Sequence, residues 1–268
     1  MKRLAAIWMT TCMVMASVSL TGAAGKGTDL MAGDALKMLM EGNGRYVAGK
    51  ATHPRQDLKR RQATATQGQK PFAAVLSCAD SRAPVEVVFD QGVGDIFVVR
   101  VAGNVAGVDE MASLEYGAEH LHIPLLVVLG HTKCGAVTAV VEKAQVHGHL
   151  PALAEKIKPA VEKVSPEKLD KSKGETMVDA AIKANVWQAA EDLLKKSDII
   201  RDLAKKGKVK VVGALYEIDT GRVVWMGPHP GQAQFLEAAP AQPKPAAPAP
   251  AAAGRAPGEK TEPPKPPQ

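Results

Sequence analysis

The stretch "VLSCADSRAPVEVVF", residues 75–89, ends an apolar run on a thiol and follows it at once with an acid and a base. Ala73, Ala74, Val75 and Leu76 lead into Ser77 and then Cys78, Asp80 and Arg82. A thiol is at home in a core; a carboxylate and a guanidinium are not, unless they are paired. An apolar run of this length that stops on such groups reads as a buried strand whose C-terminal end opens onto a site.

Working outward, further β-branched apolar runs cover residues 96–101, 125–129 and 209–215, beside the first at 72–76. Continuous rather than alternating runs predict parallel strands buried on both faces. Residues 211–218 and 222–226 flank Asp219-Thr220-Gly221, a turn signal that adds an antiparallel edge strand. Helical patterns lie between these runs at residues 111–121 and 176–196. Another pattern starts at Asp34, a potential cap, and carries Ala35, Leu36, Met38, Leu39 and Met40. The expected class is α/β, with a mostly parallel sheet of four strands plus an antiparallel edge strand, flanked by helices.

The chain has 268 residues, 46% of them hydrophobic, and a net charge of +6. Aromatics make up 4%, too few for a platform that stacks single-stranded bases. Lys59, Arg60 and Arg61 read as a solvated face, and no basic cluster is dense enough to imply a nucleic-acid partner. Residues 1–24 read as a cleaved signal peptide. Lys2 and Arg3 precede an apolar stretch diluted by Thr10, Thr11, Ser17 and Ser19, and Gly22-Ala23-Ala24 offers small residues for cleavage. A periplasmic or secreted location follows, with no stable membrane span after cleavage. Cys12 lies in the leader, and Met9-Thr10-Thr11 before it makes a poor lipoprotein site. Residues 25–236 form one expected domain. Residues 237–268 are rich in Pro and Ala, have few large apolar side chains to bury, and read as a disordered tail.

The 125–129 run continues "PLLVVLGHTKCGAV" through His131 to Cys134. Two segments therefore bring soft or borderline ligands to the C-terminal ends of predicted strands, the edge where open α/β sheets bind ligands. Zinc takes thiolate, imidazole and carboxylate donors in tetrahedral geometry. Cys78, His131 and Cys134 would supply three donors, leaving a fourth position for water or Asp80. A Cys78–Cys134 disulfide is equally open on residue chemistry, because these are the two cysteines left after the leader and export favours oxidation. That pairing, however, leaves His131, Asp80 and Arg82 without a role.

With "SCADSR", "VVRVAGNVAG" at 98–107, "SLEYG" at 113–117 and "VLGHTKCGAV" at 128–137, the chain resembles the β-class carbonic anhydrases over roughly residues 30–227. "EGNGRYVAGK" at 41–50 is similar to that family's N-terminal helix. The resemblance implies Zn2+ held by Cys78, His131 and Cys134, and reversible hydration of CO2 to bicarbonate. It implies two states for Asp80: fourth metal ligand, or partner of Arg82 with the fourth position left to water. It also implies a homodimer or dimer of dimers, with the helix at 34–47 as an arm exchanged between subunits. Two departures stand out. Where many relatives read R-N-x-A-N, this chain reads Arg100-Val101-Ala102-Gly103-Asn104. Val75 occupies the place of a Trp that some members use, with the Arg matched here by Arg100, to hold inhibitory bicarbonate. The expectation is an open resting site, with Asp80 on Arg82 and no bicarbonate switch. Gln91 is an ambiguous match to a cleft Gln.

Two other readings share these residues: a hydrolase of carbon disulfide or carbonyl sulfide, and a non-catalytic zinc-stabilised scaffold or bicarbonate binder. His120 and His122 read as surface groups, His147 and His149 as a polar loop, His229 as a turn and Trp187 as packing.

Overall fold

The computed structural model describes residues 28–237; the predicted leader and all but the first residue of the predicted tail lie outside them. Two helices come first, α1 (Ala32–Val47) and α2 (Leu58–Gln67), then β1 (Ala73–Ser77), the short α3 (Val85–Val88) and β2 (Ile96–Arg100). α4 (Val108–Glu119), β3 (Leu125–His131), α5 (Gly135–Val141) and α6 (Leu150–Glu162) follow. The chain continues through α7 (Met177–Lys196), α8 (Asp198–Lys205), β4 (Lys210–Tyr216), β5 (Val223–Gly227) and α9 (Gln232–Glu237).

The five strands run in the order β2-β1-β3-β4-β5. β1 is parallel to β2 and β3, β3 is parallel to β4, and β5 returns antiparallel to β4. The expected strand set and the antiparallel edge are therefore present. The 96–101 run is not buried as expected. Among the described residues β2 is an edge strand with β1 as its one neighbour, so only Ile96 is buried and Arg100 is exposed.

Successive side chains on a strand point to opposite faces. Ala74, Leu76, Leu126 and Val128 pack with Leu114, Val186 and Leu193 from α4 and α7. Val75, Leu125, Val127 and Leu129 pack with Leu39 of α1 and with Phe89 just after α3. Each of these side chains except the small Ala74 contributes about 1.5–3 kcal/mol on burial. Two glycines let α7 lie close on the sheet. A Cβ on Gly130 would stand 2.5 Å from Val186 Cγ2, and one on Gly213 2.8 Å from Trp187 Cζ3.

α7 begins where its cap chemistry predicts. Thr176 Oγ1 accepts from the Asp179 amide, and the Thr176 amide donates back to the Asp179 carboxylate. α1 does not begin at Asp34. It starts at Ala32 with Met31 as an N-cap that makes no side-chain bond, and Asp34 lies in the first turn, where a carboxylate suits the positive end of the helix dipole. The predicted 111–121 helix likewise starts earlier, at Val108.

α1 lies against its own chain. A Cβ on Gly42 would overlap the Phe89 carbonyl oxygen. Buried Asn43 donates to the carbonyls of Val88 at 3.1 Å and Gly221 at 2.8 Å, and accepts from the Val223 amide at 2.9 Å. Among the described residues no helix is long and apolar enough to cross a membrane.

Candidate metal centre

The register fixes where the ligands meet. Ser77 pairs with Leu129, so the residue after β1 and the last residue of β3 both lie at the sheet's carboxyl edge. The Val101 amide donates to Ser77 O and the Ala79 amide to Val101 O, which carries the ladder past Cys78. Arg100 then closes the loop from the side. Its Nε donates to Cys78 O at 2.9 Å and its Nη2 to Asp80 O at 2.6 Å. On the other segment Lys133 takes a left-handed conformation, φ 57, which turns the chain so that Cys134 caps α5. That turn is braced from β4: the Thr132 amide donates to Tyr216 O, and the Ile218 amide to Thr132 Oγ1.

The sulfurs of Cys78 and Cys134 and a ring nitrogen of His131 lie within 4.8 Å of one another, all buried. The two thiols are free, with their sulfurs 4.0 Å apart. Two 2.3 Å bonds at a tetrahedral angle put sulfurs roughly 3.8 Å apart, so the pair matches a shared zinc ion. His131 supplies the sharper test. Its Nδ1 lies 2.9 Å from the Thr132 carbonyl, which can only accept, so Nδ1 carries the proton. Nε2 is left with a lone pair, buried and without a hydrogen-bond partner. An orphan of this kind is costly unless a ligand satisfies it. The donor set thus fits a zinc-type cation. An apolar shell of Val105, Val137, Ile157 and Ile182 surrounds the sulfurs.

The Cys134 thiol, the nearby His131 ring and the amides of Gly103 and Asp80 favour a thiolate at Cys78 against the cost of burial. Contact with that sulfur pushes the Cys134 thiol up, and burial adds to the effect. The pair therefore gives up one proton easily and the second with difficulty until a cation arrives. Burial would lower the His131 pKa, but the Cys78 sulfur, the Thr132 carbonyl and the Asp80 charge turn it upward.

Asp80 is paired with Arg82. Its Oδ1 and Oδ2 accept from Arg82 Nε and Nη2, and Oδ1 also accepts from the Arg82 amide. The guanidinium holds the carboxyl well below the ordinary carboxylate range. Oδ2 stands 3.8 Å from His131 Nε2, which puts Asp80 beside the three donors. Arg82 Nη2 also reaches Lys133 O at 3.2 Å and so ties the two ligand segments together.

Gln91 is engaged within its own chain. It is buried and spends its amide on Arg55 and on the Phe89 carbonyl. His120 and His122 are exposed, and the His229 ring packs on Trp187 and Phe235. Sequence reading missed the role of Gly103, whose amide donates to Cys78 Sγ at 3.2 Å. Its signal was the departure from the R-N-x-A-N pattern at that position.

The sequence model of the family described as carbonic anhydrase matches residues 73–223. Carbonic anhydrase 2 of Mycobacterium tuberculosis is 41% identical over 191 residues, 71% of this chain and 90% of that protein. The carbonic anhydrase of Mycolicibacterium smegmatis is 40% identical over 190 residues, 70% of this chain and 90% of its own length. Among solved structures, a tetrameric β-carbonic anhydrase from Sordaria macrospora superposes with a TM-score of 0.55 at 21% identity, covering 72% of this chain and 98% of that one. The Coccomyxa β-carbonic anhydrase in complex with acetazolamide gives 0.53 at 24% identity, covering 71% and 86%. The parallel sheet, the Cys78–His131–Cys134 cluster and a match over more than half the sequence converge: the chain belongs to the β-carbonic anhydrase family of metalloenzymes.

Proposed function

We propose that this chain catalyses the reversible hydration of CO2 to bicarbonate and a proton, with Zn2+ held by Cys78 Sγ, His131 Nε2 and Cys134 Sγ. The observation that carries the reading is the buried, unpartnered Nε2 of His131 facing two free thiols. When bound there, zinc lowers the pKa of a coordinated water from about 15.7 toward 7 and so supplies a nucleophile at moderate pH.

The chain's own groups do the rest. Arg82 keeps Asp80 ionised and turned toward itself, so that the carboxylate would stay off a bound ion and leave room for water. Asp80 Oδ2 accepts a hydrogen bond from the attacking water and aims its lone pair at the substrate carbon. The apolar shell around the sulfurs excludes bulk water and strengthens these interactions. Stopped-flow CO2 hydration, read together with zinc content, tests the reading. Turnover of carbon disulfide or carbonyl sulfide without CO2 hydration would replace the substrate. Zinc without either activity would make the chain a binding module.

A homodimer or dimer of dimers belongs to the same proposal. Met31, Met40 and Val47 are exposed on or beside α1, and the edge of β2 has no strand partner among the described residues. Light scattering checks this. Export through cleavage of residues 1–24, to the periplasm or outside, is a further part of the reading, checked by sequencing the N-terminus of the mature protein.

A further inference from the structure

The buried face of α7 is built from Ala181, Ile182, Val186, Ala189, Ala190 and Leu193, with one polar exception, Asn185. A buried amide in such a row is costly unless it is used. Asn185 Nδ2 donates at 2.6 Å to the carbonyl of Gly103, a residue 82 positions away in the chain. Gly103 is itself unusual. Its backbone is left-handed, φ 72 and ψ 16, and a Cβ there would stand 2.7 Å from Ile157 Cδ1. Its amide donates to Cys78 Sγ.

We propose that Asn185 is a positioning residue for the metal centre, acting through Gly103 on the Cys78 sulfur. Asn185 fixes the carbonyl side of Gly103, and Ile157 of α6 closes the space around its Cα. With both held, the Gly103 amide stays aimed at the sulfur. An N–H···S bond orients a thiolate and tempers its donation to a cation, and outer partners of this kind typically change metal affinity about 10- to 100-fold. The inference rests on the metal reading above and adds to it a residue remote from the ligands in sequence.

The test compares cobalt- and zinc-loaded wild type with Asn185→Leu, which keeps the branched heavy-atom skeleton, and Asn185→Ala, should the first not fold. Leu193→Ala, on the same buried face, is the control for general loss of stability. The readouts are the thiolate-to-cobalt charge-transfer band and the rate of zinc release to a chelator. The expected result is a shifted band and release about 10- to 100-fold faster in the Asn185 variants, with neither change in Leu193→Ala. Wild-type behaviour in the Asn185 variants, or equal changes in Leu193→Ala, overturns the role of Asn185 and leaves the metal reading intact. A wild type that takes up neither metal overturns both.

Discussion

The Arg82 guanidinium meets the Asp80 carboxylate edge on, with Nε on Oδ1 at 2.9 Å and Nη2 on Oδ2 at 2.7 Å. Asp80 cannot swing toward the sulfurs without breaking both bonds. Asp80→Asn loses the charge that this geometry holds in place, and CO2 hydration is expected to fall at least about 100-fold with zinc content unchanged. Arg82→Ala should lose a similar factor. Equal activity in wild type and Asp80→Asn would remove Asp80 from the mechanism.

Because Arg82 depresses the Asp80 pKa, that carboxyl is ionised throughout the neutral and alkaline range. It therefore adds no inflection to the rate above pH about 4. Two thiolates offset the charge of a divalent cation, so activating water is harder here than at a site of neutral ligands. The expected profile of kcat/KM rises from neutral to alkaline pH. A flat profile over that range would contradict the proposed donor set.

Cys78→Ser and Cys134→Ser each remove a thiolate from the cluster. Both should bring zinc per chain close to zero and abolish hydration, whereas wild type is expected to carry one zinc. Stripping wild type with a chelator should lower its melting temperature by roughly 10 °C, from the linkage between ion binding and folding. Restored zinc should recover both stability and activity.

Asp90 anchors the loop after α1. Burial would raise its pKa, but hydrogen bonds from Thr52, Arg45 and His53 bring it down to about 2. A folded value below the unfolded value of about 3.9 stabilises the native state fully above pH 4. That contribution is lost as pH falls from about 4 toward 2. With allowance for solvent screening it amounts to about 1–2 kcal/mol. Urea titrations of Asp90→Asn should show lower stability at pH 7 and a shallower loss on acidification than wild type. Parallel curves would show that Asp90 contributes no such linkage.

Gly42→Ala would drive a methyl group into the Phe89 carbonyl, which is backbone and cannot rotate away. The expected loss is about 3 kcal/mol, measured as a lower urea midpoint. Unchanged stability would mean that α1 does not pack on its own chain as described.

The strands were legible because β1, β3 and β4 are buried on both faces and need apolar residues at nearly every position. The edge status of β2 was not, since Ile96, Phe97, Val98 and Val99 are as apolar as a central strand and composition does not count neighbours. Asp34 misled as a cap because a carboxylate suits the first turn as well as the capping position. Cys78, Asp80, Arg82, His131 and Cys134 stood out through their chemistry and their position at strand ends. Asn185 did not: a lone polar residue on a helix says nothing of a backbone carbonyl in a distant loop. Asn43 was invisible for the same reason, since its partners are main-chain groups that sequence does not distinguish, and Asp90 because its partners, the Thr52 and His53 amides and the Arg45 side chain, lie 37 to 45 residues away.

Cys78 leaves β1 and His131 closes β3, with β2 and α4 between them in the chain. A newly made polypeptide holds only the short His131–Cys134 span as a local claw, too weak to retain an ion by itself. The long-range parallel pairing must form first, which would make metal capture a late event in assembly. Maturation should therefore depend on free ion being present after collapse, rather than on an ion that nucleates it.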